Sequence, residues 1–277
     1  MIFDVRTQEA ATNFIYALTG MNAREFVDEY VIECNRDFEE FWERNEARID
    51  MVDISDLKII GFHVVSSLDD CAEIREKGLW NLQRVLTEDT NLNRVLGQYG
   101  LTFDVVNCTM TYKGKTWDIE YEKYKGRYDL TDEEEAIEWI SHRIYYDYCV
   151  NGFLCCDDIT TYGTRIHKRP EFILKLVDMF PDLEEMENWW ERNGVPYEVV
   201  FYAVPDQIMR DFFGLPEEDD MPRYWYEPTD DQIIKKKLLS LAIDGRYGNL
   251  DEQYLYIKDD LCLPPEQILE INKLDLD

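Results

Sequence analysis

No stretch of this chain approaches the roughly 20 apolar residues that a membrane-spanning helix needs, so no membrane is expected among its partners. The opening Met1-Ile-Phe-Asp-Val-Arg has no basic flank followed by an apolar run, and no secretory signal is expected. Histidine is scarce: His63, His142 and His167 are all there are, which argues against a multi-histidine metal site. The seven cysteines are odd in number and irregularly spaced. They lack the paired C-x-x-C pattern of a zinc site, and adjacent Cys155 and Cys156 are poorly placed for a structural disulfide. Reduced thiols and a cytoplasmic location are the expectation. A Gly-rich phosphate loop, a Gly-x-Ser-x-Gly elbow and a His-Glu-x-x-His helix are also missing, which removes the P-loop and common hydrolase readings.

What is abundant is negative charge. Twenty-nine Lys and Arg stand against 59 Asp and Glu, a net charge of −30. Such a field repels phosphate backbones, so direct nucleic-acid binding is disfavoured; the charge serves solubility, or else attracts a basic partner or imitates DNA. The chain is 45% apolar and 14% aromatic, a composition that disordered acidic proteins lack. The charge therefore belongs on a folded surface, and 277 residues suffice for one large core or two small ones.

Periodicity predicts helices over Thr7–Leu18 and Asn22–Ile49, then a buried strand from Asp56 through Ser67. A short helix over Asp69–Lys77 stops at Gly78. Strands are expected over Leu101–Val106, Cys108–Tyr112 and Thr116–Tyr121, the last two joined by a turn at Lys113-Gly114. Thr131 with Glu134 forms a capping-box signature for a helix through Ile137, Ile140 and Ile144. A long loop over Asn151–Lys168 precedes a helix opened by Pro170. Leu183–Arg192 reads as helix and Tyr197–Val204 as strand. Pro216–Asp231 reads as an acidic surface loop, followed by a helix over Gln232–Ile243. Gln253–Lys258 reads as strand and Pro265–Ile271 as a closing helix. Helices and strands are interspersed without a βαβ rhythm, the pattern of an α+β chain.

His63 lies inside the apolar strand and is followed by Val64-Val65-Ser66-Ser67. A histidine there is either a satisfied core residue or one held at a cleft, because burying it unpaired costs about 1–3 kcal/mol. Far along the chain, Glu252-Gln253-Tyr254-Leu255-Tyr256 opens a strand, and Leu263-Pro264-Pro265-Glu266-Gln267-Ile268 follows it. Between them the segment Arg165-Ile166-His167-Lys168-Arg169 is a dense basic cluster in an acidic chain. It reads either as an anion site at a helix start or as pairing with neighbouring acids.

Together these stretches resemble the ADP-ribosyltransferase superfamily. A strand carrying His and Ser, then a short helix ending in Gly-Leu, resembles its first nucleotide-binding motif. Val65 stands where the family has Thr or Ser, so Ser66 or Ser67 takes that place. The C-terminal stretch resembles the last motif, in which an acid or amide opens a strand before a Pro-Glu-x-Ile turn. The resemblance implies a split β-sheet core with surrounding helices over residues 51–277, and a helical N-terminal segment, residues 1–50, packed on it. It implies NAD as co-substrate and cleavage of the nicotinamide glycosidic bond, with ADP-ribose passed to an unknown macromolecular acceptor. His63 and Ser66 would hold the adenosine side. Tyr162, or else Phe153, would flank nicotinamide, and Arg169 would help neutralise pyrophosphate. Gln253 or Glu252 would face the nicotinamide ribose as the catalytic position. A carboxylate there both stabilises positive charge and accepts a proton, whereas an amide only hydrogen-bonds. No metal is implied.

The alternative from another class is a non-catalytic acidic binding protein, an inhibitor or DNA mimic that blocks a basic partner. Aromatic runs at Trp189-Trp190 and Tyr224-Trp225-Tyr226 are candidate partner surfaces. The basic run Lys235-Lys236-Lys237 reads as a solvated helix face.

Overall fold

The structure, a computed structural model, describes residues 1–215 and 228–275. Most of the predicted Pro216–Asp231 loop, with Tyr224-Trp225-Tyr226, lies outside the described residues. The chain is α+β. Its strands in order are β1 (Ile2–Phe3), β2 (Lys58–Ser67), β3 (Leu101–Asp104), β4 (Thr109–Tyr112), β5 (Lys115–Asp118), β6 (Asn151–Cys155), β7 (Val195–Ala203), β8 (Gln253–Tyr256) and β9 (Ile268–Lys273). Among the described residues no helix is long and apolar enough to cross a membrane.

Helix boundaries follow side-chain chemistry. Thr131 accepts from the Glu134 backbone N–H at 3.3 Å, and the Glu134 carboxylate accepts from the Thr131 N–H at 2.8 Å. This reciprocal cap starts the Asp132–Tyr145 helix. Thr229 and Gln232 repeat it for Asp230–Tyr247. The long helix expected over Asn22–Ile49 is broken. It runs Ala23–Phe26, widens into π-helix over Val27–Glu33, and restarts as Phe38–Asp50. Asn35 and Arg36 take left-handed backbone, φ 49° and 62°, which no α-helix contains. The Asp37 carboxylate accepts from the Glu40 N–H at 3.0 Å and caps the new start.

Two other expectations change. Asn151–Cys155, read as the start of a loop, is β6, because Phe153 finds a register partner in Phe62 of β2. The Pro265–Ile271 helix is only a turn over Pro265–Gln267, after which the chain becomes β9. There the ladder to β7, with Tyr197 opposite Lys273 and Val199 opposite Ile271, overrides weak local preference.

The chain divides into two compact units, each assembled from three stretches. The first comprises Met1–Phe62, Gly152–Asp157 and Tyr202–Tyr256, and residues 1–50 fall within it. In it β1 runs parallel to β2, with Phe3 opposite Ile59, and the strand order is β8-β6-β2. The Gln8–Thr19, Phe38–Asp50 and Asp230–Tyr247 helices pack on one another. Gly245 makes the closest approach possible, since a Cβ there would sit 3.3 Å from Ala11 Cβ and 3.4 Å from Val5 Cβ. Aromatic rings fill the interior: Phe14 meets Phe3 edge-on at 4.9 Å, and Phe41 meets Phe26 at 5.6 Å.

The second unit comprises His63–Asn151, Asp158–Phe201 and Ile257–Asp277. Its strand order is β2-β7-β9, beside a separate antiparallel sheet β3-β4-β5. The predicted turn joins β4 to β5, with Lys113 at φ 48° and Gly114 at φ 81°. A continuous core joins Leu96, Leu101, Met110, Ile140, Ile173 and Leu176.

Candidate functional site

His63 stands on β2 between buried Phe62 and Val64, and is itself half-buried. Strand alternation turns it away from the face those two residues share. Its Nδ1 lies 2.5 Å from the Asn151 carbonyl oxygen. A carbonyl only accepts, so Nδ1 carries the proton, and Nε2 is the acceptor of the neutral ring. Burial pushes the imidazole pKa below its ordinary value, against the opposing effect of the Asn151 bond. The ring is thus neutral and oriented.

Asn151 also receives the Cys149 thiol, which donates to its side-chain oxygen at 2.8 Å. A cysteine, a histidine and an asparagine therefore meet, but not as a thiol-nucleophile triad. Burial, with Asp147 and Asp259 adding to it, pushes the Cys149 pKa up to about 12. The sulfur stays protonated, whereas a nucleophilic cysteine needs the thiolate. Sequence reasoning missed Asn151 as the histidine's anchor. The two are 88 positions apart, and the only local signal was Asn-Gly at the mouth of an unrecognised strand.

Ser66 is buried, and its hydroxyl donates to the Lys168 carbonyl at 2.8 Å, tying the basic loop to β2. Trp190 Nε1 donates to the Ser66 carbonyl at 3.1 Å. Arg169 is also buried. Its Nε is 2.6 Å from Glu187 and 3.8 Å from Glu191, and Nη1 donates to the Thr164 carbonyl. The residue predicted to meet pyrophosphate already has an internal counter-ion. Arg165 and Lys168 are exposed and form no ion pair among the described residues, so they are the cations that this loop presents outward. His167 is buried, with Nδ1 lacking a partner among the described residues. Its pKa is lowered by burial and then by Lys168. Tyr162 is half-buried at the end of the Ile159–Thr161 turn, which Asp158 caps.

In the first unit Gln253 is the opening residue of β8, and its amide donates to the Glu252 carbonyl at 3.1 Å. The Glu252 carboxylate accepts from the Tyr254 hydroxyl, and from the Cys156 thiol at 3.5 Å. Two donors thus hold a carboxylate beside an amide, in the order the sequence left open. Phe153 lies on the neighbouring strand, its ring 5.4 Å from that of Tyr254.

Within the second unit the two motif-bearing stretches touch. Leu79 and Leu263 exchange both backbone bonds, N–H to O at 2.9 Å and 2.8 Å. Gly78, at φ 82°, lies against this bridge so closely that a Cβ would fall 1.9 Å from the Leu263 carbonyl oxygen. The glycine is therefore required on two grounds, backbone conformation and space.

None of the seven cysteines is joined in a disulfide. Among the described residues no group of three or more His, Cys, Asp or Glu is placed to hold a metal ion. The arrangement defines an α+β protein with an oriented neutral histidine on one face of β2 and a basic loop tied through Ser66 to the face that His63 turns away from. No protein-family model, curated protein or solved structure matches the chain.

Proposed function

We propose that this chain is an ADP-ribosyltransferase-like protein that uses NAD as co-substrate and passes ADP-ribose to a macromolecular acceptor. The observation that carries the reading is the Leu79–Leu263 bridge, which brings together the ends of the two stretches on which the resemblance rests. The state of His63 supports it: a neutral imidazole anchored at Nδ1 offers Nε2 to a ribose hydroxyl. Arg165 and Lys168 take the role of meeting pyrophosphate charge, because Arg169 pairs with Glu187 and the Ser66 hydroxyl is engaged. Gln253 and Glu252 keep the role that the resemblance assigns them. A carboxylate held by Tyr254 and Cys156 stabilises positive charge on a sugar carbon and accepts the acceptor's proton. NAD supplies a ribose–nicotinamide bond whose electron pair leaves with the ring.

The test is release of nicotinamide and transfer of label from NAD, followed with the full chain. His63→Ala is expected to raise KM by about tenfold, the worth of one lost hydrogen bond to substrate. A wild-type chain that neither binds NAD nor releases nicotinamide sinks the proposal.

A second reading is favoured by Ser66 and Arg169 being satisfied internally: an acidic, non-catalytic protein that binds a basic partner. Partner affinity falling steeply with salt while nicotinamide release is absent selects it.

A further inference from the structure

The Asp132–Tyr145 helix of the second unit has two unlike faces. Ile137, Ile140 and Ile144 are buried. On the other side Trp139, His142 and Tyr146 follow at spacings of three and four residues, and Tyr121 joins them from a neighbouring turn. The rings touch in sequence: Trp139 to His142 at 6.2 Å, His142 to Tyr146 at 4.9 Å, and Tyr146 to Tyr121 at 6.0 Å. Trp139 is 54% exposed and Tyr146 61%. Large aromatic rings in a row at the surface form a patch that a folded chain does not need for its own core.

Two carboxylates flank the row. Glu135 lies one turn before Trp139 and Glu138 one turn before His142, and neither forms an ion pair among the described residues. Glu138 is near enough to Tyr121 to help raise its phenol pKa, after the larger effect of burial. The protein's own lysines already show what these rings accept. Lys175 Nζ lies 4.8 Å from the Trp139 ring centre and Lys125 Nζ 5.6 Å from that of Tyr121. Cations over aromatic faces, with carboxylates beside them, are the pattern that recognises arginine and lysine side chains.

We propose that this face docks a basic polypeptide, its Arg or Lys side chains lying on Trp139 and Tyr146 and pairing with Glu135 and Glu138. A net charge of −30 draws such a partner in, and the ring row fixes where it sits. A nucleic acid also stacks on aromatics, but its phosphates meet the two unpaired carboxylates and the same −30 field. The inference does not depend on NAD chemistry, and its failure leaves that reading untouched.

The experiment is fluorescence anisotropy of a labelled Arg-Gly repeat peptide titrated with the full chain. The double variant Trp139→Ala/Tyr146→Ala keeps the net charge, so it separates this face from general attraction to an acidic surface. It is expected to weaken binding by about tenfold, while circular dichroism and melting stay those of the wild type. Glu135→Gln/Glu138→Gln is expected to weaken binding severalfold. Glu9→Gln/Glu43→Gln, the same charge loss on exposed residues of the first unit, changes it by less than about twofold. Ring and Glu135/Glu138 variants that both bind like the wild type overturn the proposal. So does oligothymidylate binding more tightly than the peptide and with the same dependence on the rings.

Discussion

Two acidic helices treat their aromatic residues in opposite ways. The Phe38–Asp50 helix of the first unit buries Phe41 and Trp42. The Asp132–Tyr145 helix of the second unit leaves Trp139 in solvent. Both start with carboxylates in the first turn, and both place rings at helical spacing. The difference lies in what else each helix offers to a core. In the second helix Ile137, Ile140 and Ile144 already form a complete aliphatic stripe, so the aromatic stripe faces outward. The first helix buries only Asn45 and Ile49 besides its rings, so Ile49 is its one buried aliphatic side chain and the rings go inside. A ring at helical spacing therefore signals burial only when no better stripe competes.

The comparison is broken most directly by truncating one ring from each helix. Phe41→Ala removes a fully buried side chain that packs on Phe26 and Tyr30, and is expected to cost about 3–5 kcal/mol in chemical denaturation. Trp139→Ala on its exposed face is expected to stay within about 0.5 kcal/mol. Equal losses from the two would mean that exposure misjudges the second helix.

Charges divide in the same way, and Arg169 sharpens the point. Arg169→Ala leaves Glu187 beside a buried space without its counter-ion, an expected loss of about 3 kcal/mol. Its exposed neighbour Lys168, changed to Ala, should leave the melting temperature nearly unchanged.

The smallest expected effect is a dependence on pH. Because the folded His63 has a pKa below its ordinary value of 6.5, the folded chain binds fewer protons than the unfolded one in mildly acidic solution. Its contribution to stability is whole above that value and is lost as pH falls beneath it. His63→Gln should flatten this part of the stability profile. A slope from His167, shifted in the same direction, remains. Identical profiles for wild type and variant would show that His63 is not held neutral.

Much of the fold was legible because its signals are local. The Thr131–Glu134 cap, the Lys113-Gly114 turn and the Gly78 stop each rest on a few adjacent residues, and each stands where expected. β6 and β9 were not legible, because their evidence is a partner strand distant in sequence. The candidate site follows the same rule. His63, Ser66 and Arg169 could be singled out by their place in the chain. The partners that decide what they do, Asn151, Lys168 and Glu187 in that order, had no signal at the positions they serve. Of the Lys235-Lys236-Lys237 run, expected as a solvated face, Lys235 departs for the same reason. Lys235 is buried and donates to the Asp50 carbonyl at 3.0 Å, 185 positions away.

The amino-acid order by itself determined the acidic field, the α+β class, the caps and the strand that carries His63, since composition, periodicity and capping act over a few residues. Only the tertiary structure decided which cations turn inward, which nitrogen of His63 holds the proton and which aromatic row stays outside. Those outcomes depend on groups brought together from remote parts of the chain, where burial and hydrogen-bond supply are set by neighbours in space.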